Sequence, residues 1–197
     1  GEVATLDPRA KLPVADLAIG ALRRMAREQF DSFTHLLETL AAADEQIDLF
    51  EFSLSKLVIR HLEPHFLKDR KKVVQVYSLK RLNHECSVLI SSLACTAGSD
   101  DETIKMAYDA GAAHLASATE LNQLPPTECG IHELDQALVA LVGVGPKLKR
   151  QLIETAAATV SADGCLQIQE AELLRAISDS LDCPMPPLAI VLDTGAQ

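Results

Sequence analysis

Two segments of this chain set the same eight-residue element, Asp-x-x-aliphatic-x-x-x-Glu, between runs of apolar residues at helical spacing, and that duplication commits much of the chain to α-helix. The first copy reads HLLETLAA and then ADEQIDLFEFSLSKLVIRHL (35–62); the second reads QLIETAAATVS and then ADGCLQIQEAELLRAISDSL (151–181). Asp44 aligns with Asp163 and Glu51 with Glu170, after which Leu54, Val58 and Leu62 fall on Leu173, Ile177 and Leu181. Upstream, Leu36, Leu37, Glu38 and Thr39 fall on Leu152, Ile153, Glu154 and Thr155, offset by three residues, close to one helical turn.

Composition agrees with close-packed helices. Apolar residues make up 48% of 197, Trp is absent and aromatics are only 4%, so the core is built from Ala, Leu and other aliphatic side chains. That content suffices for one buried core, and the length requires no second domain. A formal charge of −10 opposes the phosphate backbone of nucleic acid, so no nucleic-acid partner is expected. Five cysteines without a Cys-x-x-Cys pair read as thiols of a reducing compartment, serving as small core residues. No apolar run approaches the roughly 20 residues that span a bilayer. The chain opens on Gly1 without a signal-peptide pattern, as expected of a piece excised from a longer protein, its Gly left by tag removal.

The fold class expected is all-α, with about eight helices. A polar leader occupies 1–12, and Pro13 opens a helix over 14–25. Further helices are expected over 27–43 and over 49–62, the latter stopping ahead of Pro64 because proline lacks a donor and constrains its predecessor. KDRKKVVQVY (68–77) reads as a linker, 79–97 as a long partly buried helix ended by Gly98, and Asp100 or Asp101 as the start of another. After the turn-rich NQLPPTECG (122–130) come helices over 131–141, 146–160 and 168–181 and a Pro-rich tail. In units, these are a leader (1–12), a first repeat (13–67), a linker with central helices (68–130), a second repeat (131–188) and a tail (189–197).

The acidic element between the helices has two readings. As a cap, Asp48 begins the following helix and Glu51 folds back onto its amide, Asp44 sits in the turn and Ile47 fills the groove. In the second copy Gly164 supplies a positive φ and Glu170 falls near the third helical position, with Gln167 a poor cap. As a metal site, Asp44, Asp48 and Glu51, or Asp163 and Glu170, would converge on a divalent cation. An EF-hand is excluded, because the sixth and twelfth positions are Leu49 and Ser55 in one copy and Ile168 and Leu174 in the other. Capping is the favoured role.

Other motifs fall short of chemistry. His84-Glu85 and His132-Glu133 lack the second His of a zinc-protease helix, since Val88 and Gln136 stand there. In HLEPH, Pro64 breaks the helix that would align His61 with His65. GVGPKLKRQLI (143–153) resembles a helix-hairpin-helix loop, but Lys149 replaces a small residue and the acidic chain opposes DNA; a tight turn with Pro146 at the first helical position is the simpler reading. Residues 68–81 carry a net +5, which could face an anionic membrane but reads first as a solvated linker.

ADGCLQIQEAELLRAISDSLDCPMPPL resembles the closing segment of a soluble C-terminal domain of bacterial HtpX-like membrane zinc metalloproteases, and KLPVADLAIGALRRM with FDSFTHLLETLAAADEQIDLFEFSLSKLVIRHLEPHF is similar to its opening. Both halves also resemble the helical unit of TerB-like tellurite-resistance proteins, whose acidic turn corresponds to Asp44 and Glu51 and to Asp163 and Glu170. The resemblance implies two TerB-like repeats in one domain, a parent with membrane helices and a cytosol-facing His-Glu-x-x-His zinc site, and tethering to the inner membrane. None of those zinc ligands occurs in this chain, so no catalytic residue carries over and no cofactor of its own is expected. The function implied is a non-catalytic module that binds protein partners, either the protease domain or its substrates. The alternative is a freestanding TerB-like stress protein holding divalent metal at its acidic turns; an independent hydrolase is weakest, since no nucleophile stands beside a base in any local motif.

Overall fold

The computed structural model describes residues 8–43, 49–67, 76–98, 100–183 and 185. Among them run eight α-helices: α1 (Pro8–Leu22), α2 (Arg27–Ala43), α3 (Leu49–Phe66), α4 (Asn83–Ala94), α5 (Asp101–Leu115), α6 (Ile131–Leu141), α7 (Pro146–Val160) and α8 (Ile168–Ser180). The all-α expectation is met, and short 3-10 turns at Leu79–Arg81 and Pro126–Glu128 are the remaining helical pieces. No described helix is long and apolar enough to cross a membrane.

Helix α4 lies at the centre because its sequence carries no charge from Cys86 to Gly98, so no face of it needs water. Every residue from Cys86 to Ala94 is buried, with α5, α6 and α7 packed around it. Its serines bind the neighbouring turn-rich connection instead of solvent. Ser87 and Ser91 accept the Asn122 and Leu124 amides at 3.1 and 3.0 Å, and Ser92 donates to the Cys129 carbonyl at 2.8 Å. Buried backbone polar groups of a loop thus find partners on the helix it crosses. Where α5 meets α7, Gly111 leaves the room that Thr159 occupies; a Cβ there would collide with its hydroxyl.

Apolar side chains form two clusters. The larger joins α4 to α8 and includes Leu89, Leu93, Leu134, Leu152 and Ile177; the smaller joins α1, α2, α3 and α8 through Ile19, Phe30, Leu57, Leu62 and Ala176. Helices α3 and α8, the second helices of the two sequence copies, pack on each other. Of the aligned positions, Leu62 and Leu181 are both fully buried, but Leu36 is 56% exposed where its counterpart Leu152 is fully buried. Leu54 and Val58 are only partly buried where Leu173 and Ile177 are buried, so equivalent burial is confined to scattered positions of the two copies.

Helix boundaries α2, α6 and α7 fall where the sequence places them, and α8 ends one residue earlier. Three expected helices differ, α1 also ending at Leu22 rather than at residue 25. Helix α1 begins at Pro8 and runs through Pro13, so residues 8–12 are helical rather than loop. Proline at the first helical position costs no hydrogen bond, because that donor has no partner in any helix. The helix expected over 79–97 is split: Ser78 caps a 3-10 turn by accepting the Lys80 amide, α4 starts at Asn83, and it ends at Ala94, four residues before Gly98. Helix α3 continues through Pro64 to Phe66. Tertiary contacts hold that last turn, since Phe66 stacks on Phe30 at 4.5 Å between centroids and its carbonyl accepts from Arg27 Nη1 at 2.9 Å. The linker expected over 68–77 lies outside the described residues apart from Val76 and Tyr77.

Candidate functional site

Along α3, Lys56 and Arg60 stand on one flank of the buried Leu57 and His61 on the other, all three partly exposed, while Leu62 is fully buried. Each of the three meets an aspartate from another element. Lys56 Nζ pairs with Asp135 Oδ2 of α6 at 2.8 Å, Arg60 with Asp182 just past α8, and His61 Nε2 with Asp179 Oδ2 of α8 at 2.9 Å. Asp182 also faces Lys149 Nζ of α7 at 3.8 Å. Its backbone is left-handed, φ 59°, a conformation that Asp tolerates better than most residues.

Beyond these pairs the ends of α1, α3 and α8 enclose a cleft of about 460 Å³ lined by Arg23, Arg60, His61, Pro64, His65, Asp179 and Asp182. The expectation that Pro64 would separate His61 from His65 is overturned, because α3 remains helical past the proline and both rings line the same cleft. Asp179 is 12% exposed in its side chain against 39% for His61, so the acid forms the floor and the imidazole reaches toward the opening. Chemically, the lining offers guanidinium cations, imidazoles and carboxylates. The sequence could reveal this arrangement only through Lys56, Arg60 and His61 of α3, because Arg23, Asp179 and Asp182 come from segments far apart in the chain.

The carboxylates singled out from the sequence sit elsewhere. Asp44 and Asp48 lie outside the described residues, and of Glu51 only the backbone, in the first turn of α3, is described. In the second copy Asp163 Oδ1 accepts the Cys165 amide at 2.9 Å, and Glu170 Oε2 accepts the Gln167 amide at 2.7 Å, as a cap requires. Gly164 turns the chain with φ 82°. Partial burial pushes the Glu170 carboxyl above the usual range, the Gln167 amide opposes that, and Asp163 adds to it. Among the described residues no three His, Cys, Asp or Glu side chains are grouped so as to hold a metal.

The hairpin before α7 is likewise committed to the fold. Val76 forms a parallel bridge with Val144: its amide donates to Gly143 O at 2.8 Å and its carbonyl accepts the Gly145 amide at 2.9 Å. The Val144 amide donates to Leu141 O, and Pro146 has none, so the amides that would cradle a phosphate are already in use. Lys149, out of place for a DNA-binding hairpin, is instead turned to Asp182. The thiols are mixed. Burial pushes Cys86 and Cys129 up to about 12, Glu85 adding to the first and the Cys95 thiol to the second. Cys165, expected in the core, is exposed.

Comparison with protein-family models, with curated proteins and with solved structures finds no match to this chain. The TerB-like and HtpX-like resemblance therefore rests on the sequence segments quoted above.

Proposed function

We propose that this chain is a non-catalytic interaction and regulatory domain of a membrane-bound zinc metalloprotease, tethered through that parent on the cytosolic side of the inner membrane. The observation that carries the reading is the use to which its charged groups are put. Asp163 and Glu170 satisfy backbone amides, and Lys56, Arg60 and His61 bind α3 to α6 and α8, so the conspicuous polar residues maintain a shape. A shape kept this way presents surface, and the exposed Leu17 of α1 and Leu36 of α2 are apolar points on it. In the second copy Asp163 and Glu170 each spend a carboxylate oxygen on a backbone amide, which favours the turn-and-cap role over the metal-binding alternative.

The test begins with the coding sequence. An open frame running upstream of Gly1 through hydrophobic spans and a His-Glu-x-x-His helix is expected, and a frame that opens at this segment would overturn the parent. If the frame is present, calorimetry between this domain and the detergent-solubilised protease lacking it should show saturable binding; its absence would overturn the regulatory role.

A further inference from the structure

We propose that Cys95 and Cys129 form an oxidative modification site, at which hydrogen peroxide converts the two thiols into an intramolecular disulfide between the end of α4 and the entry to α6. This goes beyond the tethered-module reading and does not depend on it. The inference starts from how the turn-rich connection of residues 122–130 is laid along α4. Ser87 and Ser91 accept the Asn122 and Leu124 amides at 3.1 and 3.0 Å, and Ser92 donates to the Cys129 carbonyl at 2.8 Å. Cys95, the C-cap of α4, stands three residues past Ser92 and so on the same side of the helix, one turn on. The register of those bonds sets Cys129 against Cys95, and the two thiols meet in a side-chain hydrogen bond. A disulfide requires two backbones held close together, and the Ser92 bond holds these.

The two sulfurs differ in access, which orders the chemistry. Cys129 is 7% exposed and its thiol donates to the Pro125 carbonyl at 3.3 Å. Burial, with Cys95, Glu133 and Glu128 adding to it, pushes that thiol up to about 12, so it stays protonated. Cys95 is only partly buried and meets the oxidant first. Its sulfur attacks one peroxide oxygen: an S–O bond forms, the O–O bond breaks, and the departing hydroxide leaves as water with the Cys95 proton. The Cys129 sulfur then attacks the sulfenic acid at Cys95. An S–S bond forms, the S–O bond breaks, and the hydroxyl leaves as a second water with the Cys129 proton. Two thiols are thereby oxidised to one disulfide, and one peroxide is reduced to two waters. Thiolate at Cys129 is scarce near neutral pH, but the attack runs between groups already in contact, and that proximity offsets the scarcity. The geometry thus fixes the product as a disulfide and spares Cys95 the irreversible higher oxidation states.

The experiment treats the folded chain carrying Cys165→Ser, which removes the exposed thiol able to bridge two chains, with hydrogen peroxide. Remaining thiols are blocked with iodoacetamide, and an unreduced digest is mapped by mass spectrometry. A linked peptide joining Cys95 to Cys129 is expected as the main disulfide, lost on adding dithiothreitol, and about tenfold less abundant when the same treatment is applied in denaturing urea. Cys129→Ser in the same background should leave the Cys95 sulfenic acid uncaptured, so that dimedone labels it about tenfold more than before. No linked peptide, a different dominant pairing, an equal yield in urea, or unchanged dimedone labelling in folded Cys129→Ser would each overturn the proposal. The mapping itself alters neither thiol of the pair, so a folding defect in Cys129→Ser leaves it to decide.

Discussion

Glu170 holds its charge against partial burial, helped by the Gln167 amide and hindered by Asp163, and its carboxyl titrates above the usual range as a result. The folded state therefore binds that proton more tightly than the unfolded chain does. Its contribution to stability is fully present below the ordinary glutamate value of about 4.3 and is lost as pH rises through the higher folded value. Glu170→Gln keeps an acceptor oxygen for the Gln167 amide and abolishes the titration. Relative to the unsubstituted chain, the variant should gain stability between about pH 4 and pH 7 in urea unfolding, and calcium should not reverse that gain. A relative loss over this range, or calcium protection confined to the unsubstituted chain, would favour a ligand role over a cap. Asp182 makes the complementary case, in which a backbone strain and an ion pair reside in one residue. Asp182→Ala and Asp182→Gly both delete the carboxylate, but only glycine relieves the left-handed φ. Alanine should be the less stable of the two by about 1 kcal/mol, read from thermal or urea unfolding.

Proline rules act on a helix through its own backbone, and α3 shows where they stop applying. Pro64 cannot donate to the Arg60 carbonyl, which is why the sequence alone ends the helix at Leu62. The turn survives because Phe66 stacks on Phe30 and Arg27 holds its carbonyl, contacts with α2 that no local pattern encodes. Phe66→Ala should cost about 2 kcal/mol and release this turn. Hydrogen exchange at the Leu67 amide, bonded to Glu63 O at 2.7 Å, checks it: fast exchange is expected in the variant while Leu62 stays protected. Helices α2, α6 and α7 were legible to the residue because their signals are local: apolar spacing, Pro146 opening α7, and turn residues around Gly130. The splitting of 79–97 and the run of α1 through Pro13 were not, since apolar spacing marks neither a proline inside a helix nor the 3-10 turn that Ser78 caps ahead of α4. The cleft was less legible still. His61 and His65 are visible as a pair in the sequence, but Pro64 between them argues against a shared face, and Asp179 meets His61 only because α8 packs on α3.

At the scale of the whole molecule, the two apolar clusters are unequal and share helices α3 and α8. Helix α8 gives Leu173, Leu174 and Ile177 to the larger cluster and Ala176 to the smaller, so among the described residues α1 to α3 are joined to the rest largely along α8, by the packing of α1 and α3 on it, with the ion pairs of α3 and Phe52 near its start adding to the attachment. Among the described residues only five buried apolar side chains make up the smaller cluster. Surface-facing ion pairs contribute little on their own, so the attachment depends on those apolar contacts. Leu62, fully buried in the smaller cluster, and Ile177, fully buried in the larger, are then matched probes of the same chemistry at two places. Truncation of either to Ala should cost about 2 to 5 kcal/mol locally. Leu62→Ala should open α1 to α3 as a unit, with amide protection falling there and kept in α4 to α7. Ile177→Ala should lower protection throughout, because α8 carries both clusters. Uniform loss in Leu62→Ala would mean that the chain unfolds as one cooperative body, and the cleft between α1, α3 and α8 would then be as rigid as the core. The segmental outcome places that cleft on the boundary of the less stable unit, where opening would part its α3 wall from Asp179 of α8 and break the His61 pair.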